Sequence, residues 1–204
     1  EHPQNIENKY SLSNNLGDHK SMEKYFDKRV LNWKTFRTTL TNAMRDAILN
    51  GKASRTAGVS AKFQEHIMIA VTAVNGCLMC SWFHNKMALE SGCTEEEIAA
   101  LFSGELEKVD KSEAVALSYA QHYAETEEKP SKEATKRLIK QYGQKKSKII
   151  LMFIRLITAG NLMGNTIEGF EKRLMNIRPK NGNVFLEFLL FVFGAPMYYL
   201  IKWK

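Results

Sequence analysis

Four side chains in one stretch of this sequence could do chemistry together. Cys77 and Cys80 form a C-x-x-C pair, His84 follows Cys80 by four positions, and Glu65 precedes Cys77 by twelve. At helical spacing, i, i+3 and i, i+4 place both thiols and the imidazole on one face. Two thiols so spaced can close a disulfide where the geometry allows. An imidazole one turn on can take the thiol proton or stabilise the thiolate, which is the nucleophilic form of cysteine. A carboxylate reaching that imidazole from a neighbouring helix would fix its tautomer. Two other readings of the same residues stand beside this one. They are inert buried thiols, the usual fate of a helical cysteine, and a zinc site completed by His84 and Glu65. Against zinc stands the lack of a second cysteine knuckle.

The elements that must position these residues are legible. The run SAKFQEHIMIAVTAV has a broad apolar face and no breaker, which predicts a helix bearing Glu65, with Ser60 as its N-cap. Asn75-Gly76 ends it, because both residues tolerate the left-handed conformation that closes helices. A second helix is expected from about Cys77 to Ser91, stopped by Gly92. Both cysteines then fall in or near its first turn, where unpaired N–H groups and the positive end of the helix dipole favour a thiolate. Cys80, one turn from His84, is the thiol expected to ionise more readily.

The pattern Glu-x11-Cys-x-x-Cys-x3-His, with Asn-Gly before the first cysteine, resembles the AhpD-like branch of the carboxymuconolactone decarboxylase superfamily. The resemblance runs from Arg45 to Arg178. It implies an all-α, AhpD-like helical bundle and a peroxidase or disulfide oxidoreductase that reduces hydroperoxides or passes electrons to a partner redox protein. It assigns Cys80 as the more exposed, attacking thiol, Cys77 as its buried partner, and His84 with Glu65 as a proton relay. It also implies a dithiol reductant and no cofactor beyond the thiols. Well-known members carry a histidine between the cysteines, where this chain has Leu78-Met79. A non-redox lyase or isomerase using His84 and Glu65 is the alternative within the superfamily. A metal-binding or membrane-associated protein is the alternative outside it.

The remainder reads as scaffold. Of the 204 residues 44% are hydrophobic, enough for a sizeable core. The formal charge of +7 is unevenly spread. Residues 90–128 hold 11 acidic and 2 basic side chains, and residues 129–180 hold 13 basic and 3 acidic. Such polarity points to complementary faces. No basic–aromatic interleaving or recognition helix accompanies it, so no nucleic-acid partner is expected. Three cysteines are too few for a disulfide scaffold and suit a reducing, cytoplasmic compartment, with membrane association as the alternative. The chain starts on Glu1 rather than Met, which a removed leader and a trimmed start explain alike.

Three regions are expected: a polar arm over 1–18, a helical domain over 19–183 and an apolar segment over 184–204. Apolar recurrence from Met22 to Ile48 predicts one or two amphipathic helices, followed by a loop at GKASRTAGVS. Thr94 and Ser112 are expected N-caps, Lys129-Pro130 a break, and Ser131 the start of a helix ending at Gly143. The long apolar run that follows is expected to be central. Its NLMGNT resembles the final helix of the same family, and Gly160 and Gly164 are expected helix-packing contacts. Residues 184–201 carry one charge, Glu187, and a Gly194-Ala195-Pro196 interruption. A short helix, a bend and a further turn are expected there, docked on the fold or on a second subunit, which makes a homo-oligomer the expected state. Peripheral contact with a membrane surface is the alternative, and a full span is the least favoured reading. Cys93, His66 and His122 are expected to be packing or satisfied residues, His2 and His19 carry no signal, and Trp82 and Phe83 flank the site.

Overall fold

The computed structural model describes residues 25–202 apart from 55 and 57, so the expected arm over 1–18, with His2 and His19, lies outside the described residues. The architecture is all-α. Among the described residues seven α-helices follow in order: α1 (Trp33–Ser54), α2 (Ala61–Asn75), α3 (Leu78–Glu90), α4 (Glu95–Ser103), α5 (Ala114–Glu125), α6 (Lys132–Leu174) and α7 (Val184–Lys202). A two-residue parallel pairing, Tyr25 with Arg178 and Phe26 with Pro179, ties the segment before α1 to the end of α6.

Most boundaries follow local chemistry. The Ser60 hydroxyl accepts from Phe63 N–H and caps α2, and Gly76 closes it at φ 68°. Thr94 and Glu97 form a reciprocal capping box at α4. Ser131 caps α6, which breaks its helical dihedrals at Gly143 and then continues to Leu174.

Three boundaries differ from expectation. Helix α1 begins only at Trp33, where Asn32 and Thr35 exchange hydrogen bonds across the first turn, and it runs through Gly51 to Ser54. Ser112 does not cap α5; Glu113 stands at its N-cap position with its carboxylate turned to His66 instead. Helix α7 continues past Pro196 to Lys202 as one helical element.

Helix α6 is the axis: α1, α2, α5 and α7 all pack on it. Ile149, Ile150 and Ile154 of α6 share a buried core with Ile67, Ile69 and Val71 of α2, and Leu162 of α6 packs in a second cluster with Leu31 and Leu186. Burial of such side chains contributes roughly 1.5–3 kcal/mol each. Charged groups fasten the periphery to the axis. Arg155 binds Asp46 of α1 at 2.6 Å, and Lys28 binds Glu168 at 2.8 Å.

Among the described residues, α6 is the one helix long and apolar enough to cross a membrane by composition, and it is the core of the bundle. Helix α7 lies against α6 through Leu186, through Phe188 and Phe191 on Phe170, and through a bidentate pair between Arg173 and the fully buried Glu187. Phe185 and Phe193 of the same helix face outward.

Candidate active site

The α2–α3 turn sets the positions of the two cysteines. Cys77 is the N-cap of α3, its sulfur accepting from the Cys80 backbone N–H at 3.3 Å. The neighbouring Cys80 thiol is the largest influence holding Cys77 below the ordinary thiol range; the backbone N–H of Cys80 and the Lys28 ammonium act with it, against burial and the charge of Glu168. The Cys77 sulfur, together with burial, pushes Cys80 far above the ordinary range. Of the two sulfurs, Cys77 is therefore the one whose surroundings favour the thiolate. The expectation that Cys80 ionises first is corrected here. The helix cap and Lys28 act on Cys77, and proximity in sequence to His84 does not outweigh them.

Both sulfurs are buried, and all three cysteines of the chain are free thiols. Cys80, not Cys77, opens onto a cavity of about 240 Å³ lined by Met68, Met79, Phe83, His84, Leu156 and Gly160 among others. Phe83 stands edge-on to the His84 ring. Glu65 on α2 reaches across the hairpin to His84, with Oε2 2.8 Å from Nδ1. An ionised carboxylate only accepts, so Nδ1 carries the proton and the Nε2 lone pair is left free. The structure thus brings Glu65, Cys77, Cys80 and His84 to one place.

The axis helix completes the site with residues that read in sequence as plain packing positions. Gly164 faces the cysteines so closely that a methyl group there would lie 2.7 Å from the Cys77 sulfur and 3.8 Å from that of Cys80. Asn165 donates to the carbonyl of Asn75 at 2.8 Å and to that of Arg29, clamping the turn before Cys77. Asn161 and Thr72 hydrogen-bond in the core, and Thr166 accepts from Leu31 N–H. The NLMGNT segment, Asn161–Thr166, is therefore a cradle for the cysteine hairpin. Its signal was the cluster of small and amide residues in an otherwise apolar helix.

Residues 40–121 match the carboxymuconolactone decarboxylase family. No curated protein and no solved structure matches the chain. The family segment contains Glu65, Cys77, Cys80 and His84, and its arrangement is consistent with the AhpD-like branch. It ends within α5, so the cradle residues of α6 lie outside the matched residues.

Proposed function

We propose that this protein is a thiol-dependent oxidoreductase that reduces small organic hydroperoxides, or passes the same electrons to a partner redox protein. One observation carries the reading. The Cys77 sulfur caps the helix that carries Cys80, accepting from its backbone N–H at 3.3 Å, while Cys80 and His84 border the same apolar cavity.

The residues support the following sequence. A hydroperoxide enters with its organic group among Met68, Met79, Phe83 and Leu156. The Cys80 proton passes to the Cys77 thiolate as the Cys80 sulfur attacks the distal oxygen. The O–O bond breaks, Cys80 becomes a sulfenic acid, and the alkoxide leaves as an alcohol, taking from His84 Nε2 the proton that Cys77 gave up on ionising, with Glu65 keeping the ring oriented. Cys77 then attacks the sulfenic sulfur, a disulfide forms and water is released. An external dithiol restores both thiols by exchange. The balance is two thiols and one hydroperoxide giving one disulfide, one alcohol and one water. Met79 on the cavity wall, where well-known relatives of the AhpD-like branch have histidine, leaves His84 as the imidazole lining the pocket.

The outward apolar side of α7 supports a homo-oligomer as part of the same proposal, since Phe193 is 79% exposed and Phe185 59% exposed. Light scattering on the full chain and on a chain ending at Gly182 tests this. Loss of liposome binding with an unchanged oligomer would mean a membrane-surface helix instead.

The catalytic proposal is tested by consumption of an alkyl hydroperoxide with and without a dithiol. Dithiol-dependent turnover that is abolished in Cys80→Ser is expected. Turnover that survives Cys80→Ser, or oxidised protein whose disulfide engages Cys93, would overturn the reading.

A further inference from the structure

His66 follows Glu65 in the same helix but takes no part in the thiol site. Its side chain is completely buried. Its Nδ1 lies 2.6 Å from Glu113 Oε2. By the argument used for His84, the carboxylate can only accept, so Nδ1 is protonated and Nε2 presents a lone pair. That Nε2 is shut off from solvent and has no hydrogen-bond partner. A buried polar atom left without a partner is unfavourable, which invites a partner from outside the protein.

Two further donors surround it. Cys93 is buried just after the left-handed Gly92 that ends the α3 turn. Glu97 lies in the first turn of α4, one oxygen accepting from Thr94 N–H and the other from Lys62 at 2.7 Å. The ligand-capable atoms of His66, Cys93 and Glu97 all lie within 4.8 Å of one another, and no other group of three or more His, Cys, Asp or Glu converges in this way among the described residues.

We propose that His66 Nε2, the Cys93 sulfur and a Glu97 carboxylate oxygen form a site for a borderline divalent transition metal of the zinc class, separate from the C-x-x-C pair. A mixed nitrogen, sulfur and oxygen set favours zinc or cobalt over magnesium or calcium. Metal–ligand bonds of about 2.0–2.3 Å in a tetrahedron need donors roughly 3.5 Å apart, so the three side chains close inward by about 1 Å on binding. Glu113 supplies the outer carboxylate that orients a ligating histidine and fixes its tautomer. The thiolate and the Glu97 carboxylate balance a divalent charge, and Lys62 neutralises Glu97 when the metal is absent. Three protein donors leave a fourth position for water. An ion there pins the middle of α2 to the end of the α3 turn and the start of α4.

Cobalt(II) titration of the full chain under reducing conditions tests the site, since a cobalt–thiolate charge-transfer absorption reports sulfur ligation directly. In a Cys77→Ser/Cys80→Ser variant Cys93 is the sole thiol. One equivalent of cobalt with that absorption is expected there, displaced by zinc, and the absorption is expected to vanish in Cys93→Ala. Glu113→Gln should weaken the affinity by about 10- to 100-fold. Should Cys93→Ala fail to fold, zinc protection of Cys93 from alkylation in the double-serine variant decides: protection supports the site and unhindered alkylation refutes it. Absorption that is lost in the double-serine variant, or that survives in a folded Cys93→Ala, places the metal elsewhere and overturns the proposal.

Discussion

Replacing Gly164 by alanine separates the cradle reading from ordinary helix packing. A methyl group at that position would sit 2.7 Å from the Cys77 sulfur, whereas one at Gly160 would meet nothing within 4 Å. Non-bonded contacts settle near 3.5–4.0 Å, so the Cys77 sulfur must retreat by about 1 Å. That sulfur is the cap of α3 at 3.3 Å from the Cys80 N–H. Overpacking costs about 1–3 kcal/mol and a weakened cap about 0.5–2 kcal/mol, against a helix-propensity gain of about 0.5–1 kcal/mol. Gly164→Ala should therefore lose about 1–3 kcal/mol, while Gly160→Ala gains up to about 1 kcal/mol. Urea denaturation of both reduced variants measures the difference, and alkylation rate against pH measures the thiol. The apparent pKa of Cys77 should rise in Gly164→Ala alone. If the two variants match in stability to within about 0.5 kcal/mol, with unchanged alkylation profiles, the cradle argument is wrong.

Lys28→Met should move the Cys77 pKa back toward the ordinary thiol value, seen as a shifted alkylation profile in a Cys80-intact protein. Because the folded Cys77 value lies below the unfolded one, its ionised form stabilises the fold at pH above the unfolded thiol value. That contribution disappears as pH falls through the folded value; denaturation midpoints of wild type and Cys77→Ser across neutral to alkaline pH should diverge accordingly. Glu65→Gln should lower hydroperoxide turnover by about 10- to 100-fold, a typical share for general acid–base assistance, with the first alkylation step nearly unaffected. Arg173→Ala leaves the buried Glu187 carboxylate without its partner and should cost about 3 kcal/mol in thermal or chemical denaturation.

How much of this was legible from sequence depends on whether local chemistry decided the outcome. The Ser60, Thr94 and Ser131 caps, the Gly76 closure and the Gly143 break are set within a few residues and were readable. The approach of Glu65 to His84 was readable too, because a two-residue turn leaves the adjoining helices little choice of partner. Tertiary demand decided the rest. Glu113 displaced Ser112 from the cap position because His66, 47 positions away, needed a carboxylate. Pro196 did not break α7, where an apolar run set against α6 sustains the helix. The lowered Cys77 value owes most to Cys80, but part of it comes from Lys28, far off in sequence and folded back over the Gly76 turn. No spacing rule within the C-x-x-C segment could have revealed that.

The unequal ionisation of the two sulfurs also fixes the direction in which a bond between them would open. A reductant that approaches through the cavity meets Cys80. Attack on that sulfur expels Cys77 as the leaving group. Thiolates of low pKa leave fastest, and Cys77 departs into a position already furnished with a helix-end N–H and a nearby ammonium. The burial that hides Cys77 from substrates thus makes it the sulfur best suited to be released, and a mixed disulfide with the reductant would form on Cys80 alone.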